Sequence, residues 1–180
     1  MKLLGLAVLL AFAACKNKDQ KKKDLDTAIK SFNESAKTAA DTTKGFTIDV
    51  PEGWQRIEKD MNGHRFTFLM APKVNNFQAN LNILKDEAKG MGLEQYVDYS
   101  LQHMGAITPA NLKKSDIEVN GIKGKLVQYT MAYQTFNMQL GSYILPVSGG
   151  QVYIITTTEL ADNAQYTDVL DKTVHTFKVD

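Results

Sequence analysis

An α+β fold, a largely antiparallel β-sheet flanked by helices, follows from three features of the chain. Short segments of alternating apolar residues are joined by tight turn sequences, which favours hairpins. Two segments change to helical periodicity, one mid-chain and one near the end. The 180 residues are 43% hydrophobic and 23% charged, as expected of one ordinary domain able to bury a core.

The chain starts differently. After Met1-Lys2, residues 3–14 are apolar or small, and the charged stretch "KNKDQKKKD" begins just past Cys15. Twelve such residues are too few to span a bilayer as a helix, which takes about 20. They fit the apolar region of a secretory signal. The sequence Phe12-Ala13-Ala14-Cys15 resembles the lipobox of bacterial lipoproteins, with Phe12 where Leu is usual. The resemblance implies a signal peptide over residues 1–14, removed by cleavage, and acyl chains on Cys15. Several chains anchor stably, since each buried CH₂ contributes about 0.8 kcal/mol. Cys15 is the only cysteine, so no intrachain disulfide competes for it. Lys16 stands where Asp commonly retains a Gram-negative lipoprotein at the inner membrane, so the outer membrane is expected. Periplasmic and surface-facing placements both stay open.

Residues 15–43 read as a lipidated, charged tether. Leu25, Ile29, Phe32, Ala36 and Ala39 fall on one side of a helix. The stripe is short and helices of this length are marginal alone, so a docked helix and a loose spacer are both consistent with it.

Over residues 44–180 the period shortens. "GFTIDVPEGW" alternates Phe46, Ile48 and Val50 and stops at Pro51, a strand ended by a proline turn. "MNGHRFTFLMAP" places Phe66, Phe68 and Met70 on one face after an Asn62-Gly63 turn. "ANLNILKDE" gives a third strand through Leu81 and Ile83. Leu93, Tyr96, Val97, Leu101 and Met104 then form a helical stripe, with Gly105 placed to end it. Strands return in "SDIEVNGIKGKLVQYTMAYQ", whose Asn120-Gly121 pair is the strongest hairpin signal in the chain. "NMQLGSYILPV" and "QVYIITTTE" follow, joined through Ser148-Gly149-Gly150. The last helix runs through Tyr166, Val169, Leu170, Thr173 and Val174 towards Phe177 and Val179. The predicted order is β-β-β-α-β-β-β-β-α.

Three segments, "FTIDVPEGW", "LEQYVDYSLQHM" and "VYIITTTELADNAQYTDVLDKTVHTFKVD", in this order resemble the PsbP-like superfamily, including DcrB-like bacterial lipoproteins. The resemblance covers roughly residues 45–180. It implies an α/β/α sandwich around an antiparallel sheet. It also implies a habit of binding other macromolecules, without a shared catalytic centre.

The residues themselves offer little chemistry. The 21 Lys and Arg nearly cancel the 20 Asp and Glu, which argues against nucleic acid as a partner. No serine lies in Gly-x-Ser-x-Gly: Ser142 follows Gly141, but a strand continues past it, and Ser148 belongs to a turn. His64, His103 and His175 are far apart in sequence. Asp171 and His175 share a helix face, yet two ligands do not make a structural metal site. Asp86 and Glu87 are adjacent on a strand, so their side chains diverge. Gly90 and Gly92 lack the Lys-Ser/Thr of a phosphate loop. Tyr129, Met131 and Tyr133 alternate with Lys123 and Lys125 on the same side, and Phe136 lies beyond at the hairpin tip. This face reads as core beneath a helix rather than as an open binding surface. No catalytic residue, cofactor or metal is therefore expected, and the one assigned site is lipid attachment at Cys15. The expected role is that of a lipid-anchored envelope protein, not an enzyme, which binds or helps assemble an envelope protein partner. The alternative is a small-ligand or lipid-binding module. An unrecognised hydrolase would need Ser or Asp to converge with His in space.

Overall fold

The computed structural model describes residues 45–61, 63–74, 76–104 and 109–180. The leader, Cys15, the tether, Asn62 and Gly105 lie outside the described residues. The elements are β1 (Phe46–Thr47), β2 (Gln55–Met61), β3 (His64–Met70), β4 (Asn80–Glu87), α1 (Leu93–Gln102), β5 (Ala110–Val119), β6 (Ile122–Tyr133), β7 (Phe136–Pro146), β8 (Gln151–Leu160), α2 (Thr167–Val174) and β9 (Lys178–Val179).

Seven strands form one sheet in the order β2-β3-β4-β8-β7-β6-β5, and every neighbouring pair is antiparallel. Two meanders are involved, β2-β3-β4 and β5-β6-β7-β8. Helix α1 carries the chain from β4 to the far edge, and the second meander returns until β8 pairs with β4. Strands β1 and β9 pair separately, Phe46 opposite Val179. The sheet is covered on both faces, by α1 on one and by α2 with the β1–β9 pair on the other, giving two hydrophobic clusters. This is the expected α/β/α arrangement.

Two strand assignments change. The first strand stops at Thr47; Ile48 is still buried, but Val50 is 40% exposed. Strand β2, "QRIEKDM", was not foreseen. It is an edge strand with Ile57 as its fully buried side chain, so it needs no alternating apolar pattern.

The turns behave as their residues require. Asn120 (φ 47°) and Gly121 (φ 83°) connect β5 to β6, the left-handed pair of a type I′ hairpin. The Asn120 amide also donates to the carbonyls of His175 and Phe177, 2.8 Å each, tying the hairpin to the end of α2. The start of α2 is capped from the sheet, because the buried Glu159 carboxylate accepts from Tyr166 N–H (3.2 Å) and from the Thr167 hydroxyl (2.5 Å). A negative group at a helix N-terminus is favourable there.

The first and last of the three segments that carry the family resemblance meet in space. Trp54 lies edge-on to Tyr166 at 5.6 Å, and Phe46, Tyr153 and Phe177 form a ring cluster with centroids 5.1–5.6 Å apart.

Gly124 allows β6 and β7 to approach. A Cβ there would sit 2.4 Å from the Ile144 carbonyl oxygen and 2.8 Å from Leu145 Cδ2. Gly124→Ala is expected to cost about 3 kcal/mol. This would read as a lower urea midpoint at unchanged m-value.

Candidate functional site

The two layers differ in kind. All six methionines among the described residues (Met61, Met70, Met91, Met104, Met131 and Met138) belong to the α1-side cluster, and none to the other. The α2-side cluster is instead built from aliphatic residues and the Phe46, Tyr153 and Phe177 rings. Methionine is unbranched and adaptable, and it fills surfaces that must repack.

The sheet face on this side carries a buried polar patch among its methionines. Directly paired residues on neighbouring strands point to the same face. One row runs Ile57, Phe68, Asn82, Thr156, Ser142, Val127, and the next runs Met70, Asn80, Thr158, Leu140, Tyr129. Asn80, Thr158, Ser142 and Thr156 are all buried. Part of the patch is satisfied. The Asn80 amide donates to Gln78 O at 3.2 Å, the Asn82 amide reaches Thr156 O at 3.4 Å, and the Ser142 and Thr156 hydroxyls are 3.4 Å apart. The Tyr129 hydroxyl lies in the same patch, beside Ser142. On the directly paired residues Asn80 and Thr158, the atoms Asn80 Oδ1 and Thr158 Oγ1 have no hydrogen-bond partner among the described residues. Each such buried atom costs about 1–3 kcal/mol.

The rim is apolar. Phe77, on the loop between β3 and β4, meets Phe136 with ring centroids 5.4 Å apart. Both rings are half-buried against the α1-side cluster. Helix α1 covers the other end: the Tyr96 hydroxyl donates to Asp86 at 2.7 Å, Lys114 pairs with Asp98 at 2.5 Å, and Lys125 pairs with Glu94 and Asp116. Surface ion pairs contribute about 0–1 kcal/mol each, so the buried Tyr96, Val97 and Met104 hold α1 chiefly through packing.

The residues singled out from sequence fall in separate places. His64 opens β3, and His103 follows α1, stacked on Tyr99 with its Nδ1–H donating to Tyr99 O at 2.7 Å. His175 ends α2, its Nδ1 2.9 Å from Asp171 O and 3.7 Å from the Asp171 carboxylate. Asp171 is taken up by the Tyr143 hydroxyl at 3.0 Å. Among the described residues no three His, Cys, Asp or Glu side chains gather as a metal site. Ser142 is fully buried in the polar patch and Ser148 is exposed in a turn. Asp86 and Glu87 part as expected, Asp86 to Tyr96 and Glu87 to solvent. Tyr129 and Met131 are core residues under the α1 layer, as read from sequence. An open cleft of about 390 Å³ near the α1 N-terminus is lined by Leu93, Asp116, Ile117, Glu118, Lys123 and Gly124. Its charges pair across β5 and β6, with Asp116 opposite Lys125 and Glu118 opposite Lys123, and it has no orphaned buried group.

The polar patch was not foreseen. Leu81 and Ile83 mark β4 as a strand, and that alternation does not show whether Asn80 and Asn82 on its other side are covered. Thr156, Thr157 and Thr158 passed as ordinary strand residues, because Thr favours strands. Polar residues on both sides of one strand pair that must be buried twice over were the available signal.

The chain has a PsbP-like fold. No protein-family model matches it, and no curated protein does. Solved structures do match. The chain is similar to the cyanobacterial PsbP (CyanoP) of Synechocystis, at 15% identity and TM-score 0.54, covering 79% of this chain and 91% of that one. It is also similar to LpqN of Mycobacterium tuberculosis, a protein involved in cell envelope biogenesis, at 9% identity and TM-score 0.57, covering 74% and 82%. A third structure, the protein of unknown function PA94 of Pseudomonas aeruginosa, matches at 18% identity and TM-score 0.53, covering 67% and 94%. Identities this low speak for shared architecture alone.

Four buried tyrosines have raised pKa values, Tyr153 among them through burial and then Asp180. Burial pushes Tyr129 up to about 12, against a lowering by the neighbouring Ser142 hydroxyl. Burial and then Asp86 raise Tyr96; burial and then Asp171 raise Tyr143. An unfolded tyrosine titrates near 10. A raised folded value stabilises the fold fully below that pH, and this contribution is lost as pH climbs through the folded value. Unfolding free energy measured in urea is expected to lose its Tyr129 contribution between about pH 10 and about pH 12. Tyr129→Phe should make that decline shallower.

Proposed function

We propose that this chain is a lipid-anchored envelope protein whose PsbP-like domain acts by binding, without catalysis, to hold or help assemble an envelope protein partner. The observation that carries the reading is the sequence Phe12-Ala13-Ala14-Cys15 at the border between apolar leader and charged tether. The acylated Cys15 would supply the membrane attachment, since no helix among the described residues is long and apolar enough to cross a membrane. The tether would then enter the domain at Gly45, whose N–H donates to the Asp180 carboxylate at 3.1 Å and whose carbonyl accepts from Tyr153 at 3.1 Å. LpqN, which shares the fold, is involved in envelope biogenesis, and that agrees with an envelope setting. The outer membrane is the proposed address, on the strength of Lys16.

A second reading, a module that binds a small ligand or a lipid, is favoured by one observation: the unpartnered Asn80 Oδ1 and Thr158 Oγ1 within an adaptable apolar layer.

The anchor has a direct test. In membrane fractions of a bacterial host, the wild-type chain should carry acyl mass on Cys15 by mass spectrometry. Cys15→Ser should move to the soluble envelope fraction or stay unprocessed. A bare Cys15 thiol on membrane-fractionated protein would overturn the anchor. Crosslinking in intact envelopes tests the partner, and one reproducibly captured envelope protein is the expected result.

A further inference from the structure

We propose that the polar patch on the methionine-rich face of the sheet is a binding site for a neutral, hydroxyl-headed amphipath, its hydroxyl bridging Asn80 and Thr158. This deepens the second reading above and rests on it; the Cys15 anchor stands or falls separately, on acylation and fractionation.

The head-group chemistry follows from the orphaned atoms. Asn80 Oδ1 can only accept. Its amide nitrogen already donates to Gln78 O, and flipping the amide would set two oxygens against each other. Thr158 Oγ1 can donate and accept. Asn80 and Thr158 are direct cross-strand partners, with Cβ atoms about 5 Å apart. One hydroxyl between them can donate to Asn80 and accept from Thr158, which satisfies both. The residues that flank this pair in its row are Met70, Leu140 and Tyr129. None is cationic, so a carboxylate or phosphate would be buried without a counter-charge.

The tail has a marked course. Along β7 from Leu140, the next residues on the same face are Met138, opposite Met131 on β6, and Phe136, opposite Tyr133 at the hairpin end. Leu140, Met138 and Met131 are buried, whereas Phe136, Tyr133 and Phe77 are half-buried. An apolar tail would run from the polar pair along Met138 and Met131 to the Phe77–Phe136 contact, whose parting would open the entrance. Methionine side chains allow that repacking more readily than branched ones.

The test uses the full chain carrying Cys15→Ser, with melting temperature and isothermal titration as readouts. The probes are decanol, monodecanoylglycerol, decyl methyl ether and decanoate. Decanol and monodecanoylglycerol are expected to raise the melting temperature and to bind at least tenfold more tightly than the ether, which lacks the hydroxyl proton, or decanoate, which carries a charge. Tighter binding of monodecanoylglycerol identifies a glyceride head as the natural source; tighter binding of decanol identifies a simple fatty alcohol. Thr158→Val and Asn80→Leu remove the orphaned atoms. Each should abolish the preference for the alcohol, and Thr158→Val, which breaks no other bond, should leave the melting temperature of the ligand-free protein unchanged or higher. Equal binding of all four probes, or of none, overturns the proposal. So does a lower melting temperature of Thr158→Val without ligand, since the hydroxyl would then already be satisfied, as by a buried water. The probe comparison on unmutated residues keeps the test decisive should a variant fail to fold.

Discussion

The pairing of β4 with β8 is the constraint on which the architecture rests. Each strand belongs to a different meander, and their register runs from Asn80 opposite Thr158 to Glu87 opposite Gln151. Without it there are two small sheets, each with exposed edges, and neither wide enough to carry a helix layer on both faces. With it there is one seven-stranded sheet whose centre is covered twice. The contact spans more than 60 residues at every pair, so chain entropy must be overcome before it forms. Burial of Leu81, Ile83, Ile154 and Ile155, all under 4% exposed, supplies the compensating hydrophobic free energy.

The same pairing creates the molecule's main internal tension. Strands covered on both faces should be apolar on both. Here β8 reads Val152 to Ile155 and then Thr156-Thr157-Thr158-Glu159, and its second half is as buried as its first. On the α2 side the polar groups are used: Thr157 donates to Gly141 O at 3.2 Å and Glu159 caps α2. On the α1 side they are used incompletely, and two orphaned atoms remain. Among the described residues the unsatisfied polar atoms fall in one layer, the one that also gathers the methionines, an asymmetry that packing alone does not require.

Architecture and role are separable here. The PsbP-like fold is shared with proteins at 9–18% identity, from a cyanobacterial PsbP to a mycobacterial envelope protein. A fold held in common at that distance reflects the sandwich and its covered sheet. Function has to be argued from the site, and in this chain the proposed sites are the Cys15 thiol and a polar patch in one layer.

Much of the fold was legible because its signals are local. The Asn120-Gly121 turn, the α1 stripe ending in Met104 and the Leu170–Val174 stripe each depend on spacing within a few residues. Strand β2 was hidden because an edge strand buries one residue, Ile57, and shows no period. By itself the sequence determined the antiparallel hairpins, the two helices and the lipobox-like border at Cys15, all matters of neighbouring residues. The tertiary structure alone decided that Asn80 meets Thr158 across 78 positions and that Trp54 meets Tyr166. It also decided that the face carrying Asn80 and Asn82 is roofed rather than wet, because burial depends on what the rest of the chain brings to cover a strand.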